Sequence, residues 1–295
     1  MGILKIIILA MVQGAAELLP VSSSAHVIVA EKLMGMDPTS PEMTLLLVML
    51  HTGTMFAVVF YFWKAWKANF FSSKEVFWRA AKLIIIATIA TGAIGLLLKH
   101  FIEKTIMKGI PHAQIELLFG NLTLISVSLA AVGLLIFYAG WKTRGITDGE
   151  EGSRERNPLD TKSSVWVGLV QGVCLPFRGF SRSGATISTG LLFDIGRARI
   201  EEFSFALAVV LTPPVIAREV WRLLNWSAQT GTTGSFMITA GLFLPSLLGM
   251  VFSFIAGLLA LKWLSAWLER GRWHYFGVYC LCASAIVFLL HRSGF

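Results

Sequence analysis

Val12–Gly35 reads VQGAAELLPVSSSAHVIVAEKLMG, and Val170–Gly196 reads VQGVCLPFRGFSRSGATISTGLLFDIG. Both are apolar helical stretches interrupted by a serine cluster beside a proline. Both open on Val-Gln-Gly, and Ser22 and Ser24 fall in register with Ser181 and Ser183. The offset is 158 residues at the Val-Gln-Gly and 159 at the serines. In the second stretch the apolar pieces on either side of the break, 164–176 and 184–195, are each too short to cross a bilayer. At 1.5 Å per residue each reaches only about 20 Å of a hydrocarbon core of ~30 Å. A chain that enters, turns and leaves on the same side resolves the mismatch, provided its irregular backbone faces protein or water. The first stretch reads the same way, with Pro20 marking its turn.

The rest of the chain sets the context. Of 295 residues, 55% are hydrophobic and 14% are charged, and the mean hydropathy is +0.70. Soluble domains carry about 25% charged residues, so the composition is that of an all-α, polytopic membrane protein. Six further segments are long and apolar enough to span: 43–63, 82–98, 115–138, 203–223, 236–261 and 275–290. Counting one re-entrant hairpin and three spans per half, residues 1–140 and 164–295 form two repeats within one domain, joined by a loop over 141–163. Three spans is an odd number, so the second repeat is inverted relative to the first.

The formal charge of +8 fits basic cytoplasmic loops, not nucleic-acid binding. Loops assigned to one side hold fifteen Lys and Arg, against eight on the other. The positive-inside rule therefore puts both termini outside the cytoplasm, and the two hairpin tips meet within the bilayer. Tryptophans at 63, 66, 78, 141, 263, 267 and 273 cluster at span ends, as an interfacial belt does. Cys174, Cys280 and Cys282 lie in apolar helices and imply neither a disulfide nor a zinc framework. No cleavable leader is read at the N-terminus.

Glu17, His26 and Arg182 are the informative residues. A charge near the bilayer centre costs about 2.5–3.5 kcal/mol, which leaves two readings for Glu17 and Arg182: a helix-locking ion pair or a functional site. Their company favours the site. Ser181, Ser183 and Thr186 surround Arg182 where a half-helix begins, and Ser22, Ser23 and Ser24 precede the half-helix that carries His26. Helix N-termini offer unpaired N–H groups to anions, and the Arg fork suits a phosphate. Inverted repeats place such sites near mid-depth. A carboxylate in a phosphate site must bind a divalent cation or act as a base. Gln13 lies one turn before Glu17 on the same face, and His26 is spaced to reach a hydroxyl on the preceding turn. His51, mid-span with Thr52 and Thr54, reads as a packing residue by default, although it could line the same cavity.

Three marks now stand together: Gln13-x-x-x-Glu17, Pro20-Val-Ser-Ser-x-x-His26 and Ser181-Arg-Ser-Gly184-Ala-Thr186. In this order the chain resembles the undecaprenyl-diphosphatases of the bacitracin-resistance type, integral membrane enzymes of bacteria. The resemblance covers nearly the whole chain. It implies six spans with two opposed re-entrant hairpins, and removal of the terminal phosphate of undecaprenyl diphosphate at the extracytoplasmic face of the inner membrane. It implies a divalent cation, Mg2+ or Ca2+, held by Glu17 and Gln13. Glu17, Ser22, Ser23, His26 and Arg182 are its expected catalytic residues. Ser24, Ser181, Arg182, Ser183, Gly184 and Thr186 are its expected phosphate contacts. The partners expected are a polyprenyl diphosphate, membrane lipids and a second copy of the chain.

The pattern departs from the family at Arg178, which stands where a proline is usual. Arg178 reads either as a second phosphate contact or as a snorkelling side chain. The nucleophile stays open among a serine, His26 and a metal-activated water. Two other readings remain. A lipid phosphatase of the acid-phosphatase superfamily would need a His six residues after its Arg, and that place is Ser188. A transporter or flippase for an anionic polyprenyl lipid would use the same phosphate clamp but has no need of Glu17 and His26.

Overall fold

The computed structural model describes residues 2–36, 41–108, 115–118, 120–144, 157–229 and 235–293. Among them are ten α-helices: α1 (Ile3–Leu18), α2 (Ser23–Leu33), α3 (Pro41–Asn69), α4 (Lys74–Phe101), α5 (Leu122–Lys142), α6 (Thr161–Cys174), α7 (Arg182–Leu192), α8 (Arg197–Gln229), α9 (Ser235–Glu269) and α10 (His274–Arg292). No strand occurs among the described residues. The central part of connector 141–163, at 145–156, and the tip of the loop after α8, at 230–234, lie outside them.

Among the described residues six helices carry stretches long and apolar enough to cross a membrane: Leu45–Asn69, Lys74–Thr105, Leu122–Lys142, Arg197–Arg218, Leu244–Glu269 and His274–Arg292. They match the six segments expected. The third needs correction at its start. Ile115–Leu118 forms a separate 3-10 turn, and α5 begins only after Asn121, whose side chain accepts from the Leu124 N–H at 3.0 Å. That local cap satisfies one of the orphan N–H groups of the first turn and fixes the start seven residues later than apolarity alone suggests.

The remaining four helices form two hairpins. α1 stops at Leu18 because Pro20 pushes its predecessor out of the α region, and Leu19 is extended with ψ 150°. In the second hairpin, α6 and α7 are joined over 175–181. Gly179 turns that elbow with φ +102°, and a Cβ there would meet the Ile125 carbonyl at 2.6 Å; only glycine fits. α1 has 16 residues, α6 has 14, and α2 and α7 have 11 each. None is long enough to cross ~30 Å of hydrocarbon.

Helix packing follows an exchange between the halves. α1 lies on α9 and α6 lies on α4. The matched glycines of the two Val-Gln-Gly stretches sit at these crossings. A Cβ on Gly14 would stand 2.6 Å from the Ser253 carbonyl, and one on Gly172 would stand 2.7 Å from the Thr91 carbonyl. Small residues let helices approach closely where lipid supplies no hydrophobic drive for association. α5 and α10 pack antiparallel. Ser284 donates to the Ser126 carbonyl at 2.7 Å, and Gly133 touches Gly277. Ser126 and Ser284 are 158 positions apart, the same offset that separates the two Val-Gln-Gly stretches. At one end of the bundle the fully buried Arg197 donates to the last carbonyls of two helices, Thr143 at 2.9 Å and Glu269 at 3.1 Å.

Candidate active site

The two elbows meet. Ser183 donates to the Leu19 carbonyl at 3.4 Å, and Pro20 packs against Gly184. On α1, Gln13 and Glu17 share a face, so Gln13 Nε2 donates to Glu17 Oε2 at 3.2 Å. Ser23, the first residue of α2, donates to the same Oε2 at 2.5 Å. The other oxygen, Oε1, accepts from Arg182 Nη2 at 3.0 Å. The side chains of Glu17 and Arg182 are 17% and 24% exposed. The pair is therefore largely desolvated, with both side chains still partly accessible.

His51 also reaches this carboxylate. Its Nδ1 donates to the Leu47 carbonyl at 2.8 Å, and its Nε2 faces Glu17 Oε2 at 3.8 Å. The sequence leaves His51 as a packing residue by default or as part of the cavity wall, and its approach to Glu17 favours the second. The available signal was an ionisable residue in mid-span among threonines.

Ser22, Ser24 and His26 form an adjoining group. Ser22 holds φ +67°, an uncommon conformation for a residue other than glycine, of the kind that clusters at functional sites. Its hydroxyl turns to Ser24 at 3.3 Å and does not cap α2, which leaves first-turn N–H groups of α2 without a side-chain acceptor. α7 is capped normally, its Gly184 N–H donating to Ser181 Oγ at 3.2 Å. Ser183 Oγ is also 3.5 Å from Ser181 Oγ.

Two expected placements differ. His26 was expected to reach a hydroxyl of the preceding turn. Its Nδ1 instead donates to the Ser22 carbonyl at 2.8 Å, because the i−4 carbonyl lies beneath a helical side chain while the Ser22 hydroxyl has rotated away. Its Nε2 turns from Glu17 toward the Tyr279 hydroxyl at 2.7 Å. Thr186, expected at the phosphate, is fully buried. Its hydroxyl bonds Ser204 Oγ at 2.6 Å and donates to the Arg182 carbonyl at 2.9 Å, so it braces α7 from behind. No spacing signal announces Tyr279 or Ser204. Arg178 is exposed on the second elbow, where its charge attracts Glu31 of α2.

Among the described residues no three His, Cys, Asp or Glu side chains gather as a ready metal cage. The donors beside Glu17 still fit a hard divalent cation that keeps waters and shares phosphate oxygens. Such an ion needs one or two carboxylates, and Glu17 lies beside the Gln13 amide and the Ser23 hydroxyl.

Residues 6–286 match the family model described as bacitracin resistance protein BacA. The chain belongs to the BacA family. The undecaprenyl-diphosphatase 2 of Acinetobacter baylyi is 55% identical to it over 98% of both chains. The undecaprenyl-diphosphatase 2 of Burkholderia thailandensis is 32% identical, covering 96% of this chain and 95% of its own. The undecaprenyl-diphosphatase of Desulforapulum autotrophicum is 31% identical over 93% of both. This BacA chain thus aligns end to end with relatives named for one phosphatase activity.

Proposed function

We propose that this BacA protein hydrolyses undecaprenyl diphosphate to undecaprenyl phosphate and inorganic phosphate, recycling the lipid carrier used in cell-wall synthesis. One observation carries the mechanism. Glu17 accepts from the Ser23 hydroxyl on one oxygen and from Arg182 on the other.

The terminal phosphate enters between the elbows. Arg182 exchanges the Glu17 carboxylate for phosphate oxygens, and the uncapped first turn of α2 adds backbone N–H donors. Glu17, released from its ion pair, takes the Ser23 proton. Ser23 Oγ then attacks the terminal phosphorus, a bond forms from Oγ to phosphorus, and the bridging P–O bond breaks. Undecaprenyl monophosphate leaves. Glu17 hands the serine proton to the departing oxygen and, again a carboxylate, takes a proton from water. The hydroxide attacks the phosphoserine, the P–Oγ bond breaks, and Glu17 returns the proton to Ser23 Oγ as inorganic phosphate leaves. Glu17 and Gln13 would hold a divalent cation, Mg2+ or Ca2+, which neutralises charge on the diphosphate. His26 lies on the Ser22 side, one turn into α2, where its Nε2, with Nδ1–H held by the Ser22 carbonyl, is placed to accept a proton from the attacking water or the phosphate.

The same reading sets the protein in the bacterial inner membrane with two re-entrant hairpins and an inverted repeat. Support comes from α5 and α10. If they are equivalent helices, their direct contact at Ser126 and Ser284 puts both on the pseudo-twofold axis. Antiparallel packing then requires an axis perpendicular to the helices, in the membrane plane. The loop charges favour an extracytoplasmic site and extracytoplasmic termini.

The test is phosphate release from undecaprenyl diphosphate by purified protein. Loss of release in Glu17→Ala, Ser23→Ala and Arg182→Ala is expected, as is a 32P-phosphoserine trapped by rapid quenching. Full activity in Arg182→Ala would remove the site. A transporter would move the lipid without releasing phosphate, and the Ser23–Glu17 hydrogen bond has no part in that reading.

A further inference from the structure

We propose that Tyr279 is a positioning residue for His26, fixing its tautomer and holding Nε2 as a directed proton acceptor. This rests on the reading that His26 serves the phosphatase site, and it adds a residue from the far end of the chain, 253 positions away.

The hydrogen bonds determine the protonation pattern. The Ser22 carbonyl can only accept, so the neutral ring's proton sits on His26 Nδ1, which donates to it at 2.8 Å. Nε2 is then left with a lone pair, and its partner at 2.7 Å, the Tyr279 hydroxyl, must donate. The two rings also stack, with centroids 5.7 Å apart and planes 15° apart. Both soft torsions of the His26 side chain are thereby restrained, one by the hydrogen bonds and one by the stack.

α10 holds this arrangement without help from Tyr279. The next residue, Cys280, donates from Sγ to the Pro20 carbonyl in the first elbow at 3.3 Å. One turn further on, Ser284 donates to Ser126 of α5. Tyr279 therefore projects from a helix already seated on the elbow that presents Ser22 and Ser23. Tyr279 is 47% exposed, so removing the hydroxyl opens no cavity and leaves the stacked ring in place. A proton carried on the wrong nitrogen, or a ring free to swing, would leave His26 unable to address the same oxygen in every turnover.

Tyr279→Phe tests this. A drop in kcat of about tenfold is expected, from the loss of one aligning hydrogen bond, with KM within about twofold. In 15N NMR of protein labelled at histidine, wild-type His26 should show a protonated Nδ1 and a hydrogen-bonded, unprotonated Nε2, and Tyr279→Phe should move the Nε2 resonance. Unchanged kcat with an unmoved resonance overturns the proposal. So does a wild-type His26 protonated on Nε2 alone, a result that needs no variant to fold. If Arg182→Ala kept activity the phosphatase site would fail, while the tautomer measurement would still decide the Tyr279–His26 relationship.

Discussion

Glu17 of the first hairpin and Arg182 of the second, 165 positions apart, meet at 3.0 Å. The contact ties the two elbows together, and it places the carboxylate and the guanidinium in one partly enclosed space. Removing one partner strands the other. Arg182→Met should cost about 3 kcal/mol of stability as an uncompensated charge. The double variant Glu17→Gln with Arg182→Met should recover most of that stability and remain inactive. Thermal melting in detergent read beside phosphate release separates the two effects; an active double variant would refute the assignment.

Chelating divalent cations should abolish phosphate release, and adding Mg2+ or Ca2+ should restore it. Gln13→Glu adds a second carboxylate one turn from Glu17, so the cation concentration for half-maximal activity should fall by several-fold, roughly the effect of one more charged ligand. A titration of activity against free metal reads this directly. An unchanged half-saturation would remove Gln13 from the cation site.

Gly168 of α6 lies against the backbone of Ala87 in α4, with no room for a side chain. Gly168→Ala should force the two helices apart and destabilise the protein by about 1–3 kcal/mol. The midpoint of thermal unfolding should fall accordingly. Ala at Gly92, where nothing crowds the position, is the matched control and should melt as the wild type does.

Arg197 ties together the ends of α5 and α9 from a fully buried position. Arg197→Met keeps its bulk but strands two carbonyls, at a cost of about 1–3 kcal/mol for each group left unsatisfied. Lower thermal stability with an unchanged KM in the surviving folded fraction is the expected outcome.

Asp160 caps α6 ahead of the second hairpin. The backbone N–H and then the hydroxyl of Ser163, at 2.8 and 2.7 Å, hold its carboxyl below the usual carboxylate range. A depressed folded value means the ionised cap stabilises the protein above the unfolded pKa and is lost as pH falls through the folded one. Asp160→Ala should therefore cost about 1 kcal/mol at neutral pH. The gap between variant and wild type should close below about pH 4. Melting curves from pH 3 to 7 measure it.

Much of this could be read from one dimension. The six spans follow from length and apolarity, and the hairpin elbows from Pro20, Pro176 and the serines beside them. Gln13 and Glu17 share a face because helical periodicity requires it. The start of α5 departs from the apolar pattern because Asn121, a short-range cap, outweighs the apolar residues before it. Spacing puts a hydroxyl within reach of His26 along the helix but does not give the rotation of the Ser22 backbone, which presents its carbonyl instead.

The sequence alone determined the membrane class, the broken helices and the residue types gathered at their breaks, since these depend on local propensity and on the cost of burying charge. Packing in three dimensions sets which side chains share a carboxylate, why Thr186 turns inward, and that His51 and Tyr279 come within reach of Glu17 and His26. Those relationships depend on how α1 seats on α9, α6 on α4 and α10 on α5, and contacts between residues 165 or 253 positions apart leave no periodic trace in the chain.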